Sequence, residues 1–300
     1  VSEDLPIIVT GARGRIGAAL LRHFKALGLP VYGYSRVAGD GLALLDDLFV
    51  DEMLSRPHVL FHCAWSSVPL VSETHRGIEW KSDLPLLWRM LEAIAAGNGL
   101  AESHFIFLSS GGTVYGNAVG GPSREADPLK PIGWHGFAKV HTEHLLEEFE
   151  RRAGLRITRV RLANPYGFVS HSTKPQGVIP FLIEAALQER VFRVWGDGTA
   201  RKDYLYVSDF LSAMEAIRKH RLAGPINVCH GHSASLLEIV KTVEEATGKT
   251  VSLAYEEAPA WDVRDSCLDN SLLRSLTGWE PKVGLQEGVR KLLDHYTRQQ

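Results

Sequence analysis

His135 and Lys139 stand four residues apart in the run PIGWHGFAK. On a helix that spacing puts an imidazole and an ammonium on one face, one turn apart. Neutral imidazole offers one donor and one acceptor nitrogen, and its ordinary pKa of about 6.5 suits proton transfer near neutral pH. A neighbouring ammonium favours the neutral ring. Such a ring is a base for alcohol oxidation and a weaker acid for ketone reduction. It reaches less far than a phenol, so the substrate must come closer or act through a water. The bland alternative is a polar residue at a solvated helix entry.

A second chemistry is written in TGARGRIG, where Gly11, Gly14 and Gly17 fall between an apolar run and a helical pattern. Glycines so placed allow a tight turn and let the backbone close on a pyrophosphate. They also open a helix whose free amides favour anions. With a strand before and a helix after, the motif reads as a dinucleotide site. In NAD sites an acid at the end of the second strand holds the ribose hydroxyls. Here the run is GYSRVAGD, so Ser35 and Arg36 take that place, and Arg13 reaches the same corner. A guanidinium pairs well with a phosphate dianion, which favours NADP over NAD. The alternative is that Arg36 is a solvated loop residue.

These groups need a sheet to position them. Leu5–Thr10 and Val31–Tyr34 read as strands, with Ile16, Leu20, Phe24 and Leu27 at helical spacing between them and Gly28 as the stop. His58–Ala64 and His104–Ser109 read as further buried strands, with a helix near Asp83–Ala96 between them. A helix from about Gly136 to Arg152 precedes a strand at Ile157–Leu162. Strands alternating with helices imply right-handed crossovers and a parallel sheet. The fold class is therefore α/β, a Rossmann-type doubly wound parallel sheet with a smaller C-terminal substrate-binding lobe. The alternation breaks after Asn164–Gly167, where short helices (Ile179–Leu187, Ser235–Thr247) and short strands take over. Residues 1–165, with about 203–228 returning to them, form the expected NAD(P)-binding domain. Residues 166–202 and 229–300 form the discontinuous lobe.

Composition excludes several partners. The formal charge is −2 over 300 residues with no long basic run, which argues against nucleic acid. Cys63, Cys229 and Cys267 lie far apart, as reduced thiols do, rather than as a disulfide framework or a zinc cluster. His171, His230 and His232 lack ligand spacing, so no metal is expected; the last two follow INVCH at a rim open to a substrate. No apolar run is long enough to span a bilayer, and no signal segment is read before the first strand. A cytoplasmic protein without a membrane partner is expected.

Taken in order, the motifs resemble the extended short-chain dehydrogenase/reductase family, specifically its NAD(P)-dependent sugar-nucleotide epimerases and dehydratases (UDP-glucose 4-epimerase-like). TGARGRIG matches the family's TGxxGxxG loop, FHCAW its FHxAA and RLANPYG its RxxNxYG. FLSSGGTVYG matches the segment that carries a catalytic Ser or Thr, and GVIPFLIEAAL, WGDGTARKDYLYVSDF and GWEPKVGLQEGV follow the family's C-terminal order. The resemblance spans nearly the whole chain. It implies an epimerase or a 4-keto reductase, with hydride passing between a nicotinamide and a sugar carbon of a nucleotide-activated sugar. For the cofactor it implies Gly11, Arg13, Gly14, Arg15, Ile16 and Gly17, then Ser35 and Arg36, Cys63, Ala64 and Trp65, and Ser109, Lys139 and Leu162. For the nucleotide-sugar substrate it implies Asn164 at the pyrophosphate, the backbone of Val178 and Ile179, Lys202 and Arg264. Trp195 and Phe181 are open to packing a nucleobase or to filling the lobe's small core, with core filling favoured for Phe181. The helices near Asp83–Ala96 and Gly136–Arg152 form a dimer bundle in family members, so a homodimer is expected. Trp88, Leu91, Leu145, Leu146 and Phe149 supply apolar faces for it, although such faces can equally pack on the sheet.

The departures fall on the chemistry. The family pattern YGxSKxxxE aligns on His135, Gly136, Phe137, Ala138, Lys139 and Glu143, so the proton-shuttling tyrosine is His135 and the serine is Ala138. The hydroxyl that meets the reacting sugar oxygen falls at Gly111, with Ser110 or Thr113 next door to supply one. Asp83 stands for an Asn, and Lys202 for an Arg, which keeps the charge and loses the bidentate fork. Tyr115 and Tyr166 are the phenols in nearby motifs, weighed as substitute acids against simple packing. The catalytic set so read is His135, Lys139, Ser110 and Thr113. Dehydration is least expected, because dehydratases carry an acid pair where Gly112 and Thr113 stand. The alternative is a dinucleotide-binding sensor or assembly partner that kept the pocket and lost the acid.

Overall fold

The computed structural model describes residues 5–50, 52–168 and 177–297, so the expectation for His171 lies outside the described residues. The chain divides into two compact units. The first comprises the chain up to Ser110, Gly133–Arg161 and Met214–Ile226; the second comprises Gly111–Ile132, Leu162–Ala213 and the chain from Asn227 onward.

The first unit is built on β1 (Ile7–Thr10), β2 (Val31–Ser35), β3 (Ala43–Leu44), β4 (Val59–His62), β5 (His104–Ser110) and β6 (Arg156–Leu162). β10 (Gly224–Val228) completes a seven-stranded sheet in the order β10-β6-β5-β4-β1-β2-β3. β1 pairs in parallel with β2 and β4, and β4 in parallel with β5. The Rossmann-type α/β expectation is met. β1 and β4 are buried along their whole length, as strands covered on both faces are. Ile8, Leu60, Phe105 and Phe107 from the strands join Leu87, Leu91 and Ile94 from helix Ile78–Ala96 in one core. Leu91 and Leu146 are fully buried in that core, not surface residues, because the stripe they occupy packs on the sheet. Trp88 on the same helix stays half exposed.

Helix Ile78–Ala96 begins well before the Asp83 read from the sequence. Gly77, in the left-handed region at φ 79°, starts it, and Pro85 sits inside it rather than in its first turn. Glu79, Asp83, Leu87, Met90, Leu91 and Ile94 are its buried residues, so two acids share the core-facing stripe.

In the second unit, β7 (Asn164–Tyr166), β9 (Arg201–Tyr206), β11 (Ser233–Ser235) and β13 (Asp265–Ser266) form one small sheet, and β8 (Phe192–Trp195) pairs with β12 (Leu253–Glu256). β9 takes all its partners from β7, β11 and β13, which is why residues 203–213 group with this unit and not with the seven-stranded sheet. Helices Val178–Leu187, Leu236–Thr247 and Leu285–Thr297 close a second core through Ile179, Leu182, Val240, Val289 and Leu292. Ser235 and Glu238 form a reciprocal capping box at the start of the second of these helices.

Candidate active site

β1 delivers the glycine loop. Gly11 adopts φ 68°, and a Cβ there would stand 2.7 Å from the Ala64 backbone nitrogen. A Cβ on Gly17 would collide with the carbonyl oxygen of Gly11. The Gly14 amide donates to Gly11 O at 2.8 Å and the Ala12 amide to Tyr34 O at 3.1 Å, which folds the turn back on the sheet. Helix Arg15–Ala26 starts at Gly14, which has no side chain to cap it. Arg15 and Ile16 form its first turn and Gly17 is buried in it.

Beside the loop lies a cavity of about 290 Å³. Gly11, Arg13, Gly14, Ser35 and Arg36 line it, as do Cys63, Ala64 and Trp65 from the segment after β4. Sequence reasoning named all of these. It did not name Ser66 and Ser82 as lining residues, and it took Asp83 only as a replaced Asn. The Ser66 amide and hydroxyl both donate to Asp83, at 3.0 Å and 2.6 Å. Burial nevertheless pushes the Asp83 carboxyl up from its ordinary range. Arg13 is spoken for: it donates to Val37 O and Ala38 O and pairs with Asp40 at 3.2 Å. Cys63 is an inert thiol, pushed up to about 12 chiefly by burial. A backbone cradle that a Cβ would fill, at an uncapped helix N-terminus, fits the pyrophosphate of a dinucleotide.

Helix Trp134–Ala153 carries the His135–Lys139 pair. Glu73 accepts from the Trp134 amide at 2.8 Å and so anchors its start. His135, Lys139, Glu143 and Leu146 are all buried, a polar-led stripe at helical spacing turned inward. Each polar member has a partner. Lys139 Nζ donates to Leu108 O at 2.8 Å and lies 3.6 Å over the Trp65 ring. Glu143 pairs with Arg161 at 2.7 Å and accepts from Ser109 at 2.5 Å, so Ser109 braces the helix from β5. His135 Nδ1 lies 3.3 Å from Ser67 Oγ. Ser67 in turn lies 2.5 Å from Glu79 Oε1, to which Ser72 also donates. Burial, then the Lys139 cation, brings the imidazole down to about 3. Lys139 itself is pulled down to about 7 by burial, against the upward pull of Asp83, Cys63, Glu143 and Glu79. The stripe therefore holds a neutral imidazole beside a lysine poised near neutrality.

Ser110 closes β5, and Thr113 lies in the short helix Gly111–Val114. Tyr115 is not a substitute acid: its buried hydroxyl donates to Asn227 at 2.8 Å. Tyr166 packs edge-on against Tyr204 and Tyr206, and burial raises its phenol far above the ordinary value. Leu162 is buried at the end of β6.

The second unit has its own cavity, of about 490 Å³. Asn164, Val178, Ile179 and Lys202 line it, as does Trp195. Asn164 Nδ2 donates to Asp203 O at 3.0 Å, and Lys202 pairs with Asp262 at 3.0 Å. Phe181, expected in the core, instead lines the cavity with a half-exposed ring, because it sits on the outer face of its helix. Arg264 does not line the cavity; it donates to Thr199 at 3.0 Å and pairs with Asp197 at 3.4 Å. The His230 and His232 rings lie 5.4 Å apart, and no group suited to a metal ion occurs among the described residues. None of the described helices is long and apolar enough to cross a membrane.

Known proteins are similar to this chain over nearly its whole length. The chain is 28% identical to the UDP-glucose 4-epimerase of Mycolicibacterium smegmatis, over 96% of this chain and 97% of that one. It is 26% identical to the dTDP-4-dehydro-6-deoxyglucose reductase of Escherichia coli, over 96% of each. The crystal structure of Thermus thermophilus UDP-glucose 4-epimerase with NAD superposes with a TM-score of 0.86 at 26% identity, covering 98% of this chain and 99% of that one. The model of the NAD dependent epimerase/dehydratase family matches residues 7–229, and this chain belongs to that family of oxidoreductase- and isomerase-type enzymes.

Proposed function

We propose that the protein is an NADP-dependent sugar-nucleotide epimerase or 4-keto reductase in which His135 moves the proton. The observation that carries this reading is the buried neutral imidazole one helical turn from a buried lysine whose ammonium lies over Trp65, a residue lining the cavity beside the glycine loop. When bound, the dinucleotide supplies a nicotinamide carbon that takes hydride from a sugar carbon or returns it. The chain's own residues do the rest. Amides of the glycine loop hold the pyrophosphate, and Lys139 holds the ribose. His135 accepts the sugar hydroxyl proton in oxidation and gives it back in reduction. Asn164, Lys202 and the backbone at Val178–Ile179 hold the nucleotide end of the substrate.

NADP is the preferred dinucleotide in this reading because Arg36 lines the cavity next to Ser35, while Arg13 is already held by Asp40 and two carbonyls. The test is a turnover screen of UDP-, dTDP- and GDP-sugars with NADP(H) and NAD(H). An epimerase keeps its dinucleotide and needs no net oxidant; a reductase consumes NADPH. Arg36→Ala should weaken NADP binding about 10- to 100-fold and NAD binding less than about twofold, the worth of a charged hydrogen-bonded contact. Equal losses for both would overturn the NADP preference, and no turnover of any sugar nucleotide would overturn the enzyme reading in favour of a dinucleotide-binding sensor.

A cytoplasmic home suits the three free cysteines. A homodimer suits the exposed rings of Trp80, Trp88 and Phe137 on helices Ile78–Ala96 and Trp134–Ala153. Sedimentation at micromolar concentration should give twice the chain mass; a monomer there rejects the pairing.

A further inference from the structure

We propose that Glu79 and Ser67 form a hydrogen-bonded relay to His135 that fixes its tautomer and shares the charge it gains when it takes a proton. Ser67 and Glu79 are positioning residues here, acting on the substrate only through the imidazole. The relay deepens the reading above and rests on it for the substrate, but its geometry stands alone.

The assignment follows from counting hydrogens. A serine hydroxyl has one hydrogen to give and two lone pairs to receive with. Trp65 Nε1 lies 3.1 Å from Ser67 Oγ, and an indole nitrogen can only donate. Ser67 Oγ donates to Glu79 Oε1 at 2.5 Å. The hydroxyl hydrogen therefore points at Glu79, and one lone pair remains. His135 Nδ1, at 3.3 Å, must be the donor to it. The proton of the neutral ring thus sits on Nδ1, and the basic lone pair is on Nε2.

The charge argument points the same way. Glu79 is fully buried, and its Oε2 has no hydrogen-bond partner among the described residues. Two serine hydroxyls meet its Oε1 alone, so a cation forming close by finds a buried carboxyl with acceptor capacity to spare. The groups around His135 are Lys139 on its own helix, Glu79 and Asp83 from helix Ile78–Ala96, and Glu73 at the helix entry. Burial and Lys139 disfavour the imidazolium. Glu79, reached through the Ser67 hydroxyl, is the group that favours it. In oxidation the sugar O–H bond breaks and an N–H bond forms at Nε2. The electron pair stays on oxygen and closes the carbonyl as the hydride leaves in the exchange described above. In reduction the same proton returns to oxygen.

The test is ¹⁵N NMR of histidine-labelled protein without added dinucleotide, with His135 assigned by difference against His135→Asn. The expected spectrum near pH 7 shows His135 protonated on Nδ1 and bare on Nε2. Ser67→Ala should abolish that preference. Glu79→Gln should lower kcat roughly 10- to 100-fold with little change in KM, a charged contact felt only when the ring is charged. It should also lower the pH at which His135 titrates, and Glu79→Asp should restore part of both. A wild-type ring protonated on Nε2, or a spectrum unmoved by Ser67→Ala, overturns the relay. Should Glu79→Gln not fold, the Ser67→Ala spectrum decides. Because the spectrum needs no substrate, absence of turnover would defeat the functional reading while leaving the relay tested separately.

Discussion

His135→Ala lowers kcat about 10²- to 10⁴-fold, the loss typical of a positioned acid–base group. Dinucleotide affinity, read by fluorescence titration, stays within about twofold, because the cradle is made by backbone at Gly11, Gly14 and Gly17 and not by the ring. The rationale is burial: His135 is only 8% exposed, and its ring is neutral where most imidazoles are mixed. An alcohol proton can thus be accepted without first displacing another. Burial also sets the pH dependence. The folded ring titrates at about 3, below its ordinary 6.5. Its contribution to stability is present above pH 6.5 and is lost as the pH falls towards 3, where the unfolded chain binds the proton first. The base form therefore persists through the mildly acidic range, and no acid-side fall in kcat near pH 6.5 arises from His135. Wild-type turnover in the alanine variant, or activity only in His135→Tyr, would remove histidine from the chemistry.

Gly17→Ala raises the dinucleotide dissociation constant at least about 100-fold, equivalent to about 2.7 kcal/mol. One added carbon suffices because its neighbours are backbone. It meets the Gly11 carbonyl oxygen and stands 3.0 Å from Ala12 Cα, and neither can swing aside as a side chain would. Relief requires the helix to retreat from the loop, which opens the turn that aims its amides at the pyrophosphate. Calorimetric titration of wild type and variant with NADP checks it. Unchanged affinity in a folded variant would show that the pyrophosphate is held elsewhere. Circular dichroism and the thermal midpoint separate lost binding from lost fold.

The lining of the cavity beside the glycine loop was legible because it is local in sequence. Gly11, Gly14, Ser35, Arg36 and Ala64 follow strand ends, where motif and position coincide, and all line the cavity. Lys139 falls on the expected helix, one turn from His135. Glu79 does not. Placing the helix near Asp83–Ala96 left Glu79 outside it. A signal was nonetheless present. Glu79, Asp83, Leu87, Leu91 and Ile94 fall on one helical stripe, and extending that period backwards puts both acids on the core side. Ser67 carries no such mark: its role depends on Trp65, Glu79 and His135 meeting through the fold. Phe181 was misread for a related reason, since an apolar helix does not say which of its residues looks into a cavity.

The hydroxyl bridge at Ser67 has a consequence for how substitutions around it combine. Losing His135 alone leaves the Ser67 oxygen without the ring nitrogen that faces it. Losing Glu79 alone frees the Ser67 hydrogen to turn towards the ring and exchange its tautomer. On this relay, Ser67, Glu79 and His135 are coupled, so the effects of replacing them singly should not add.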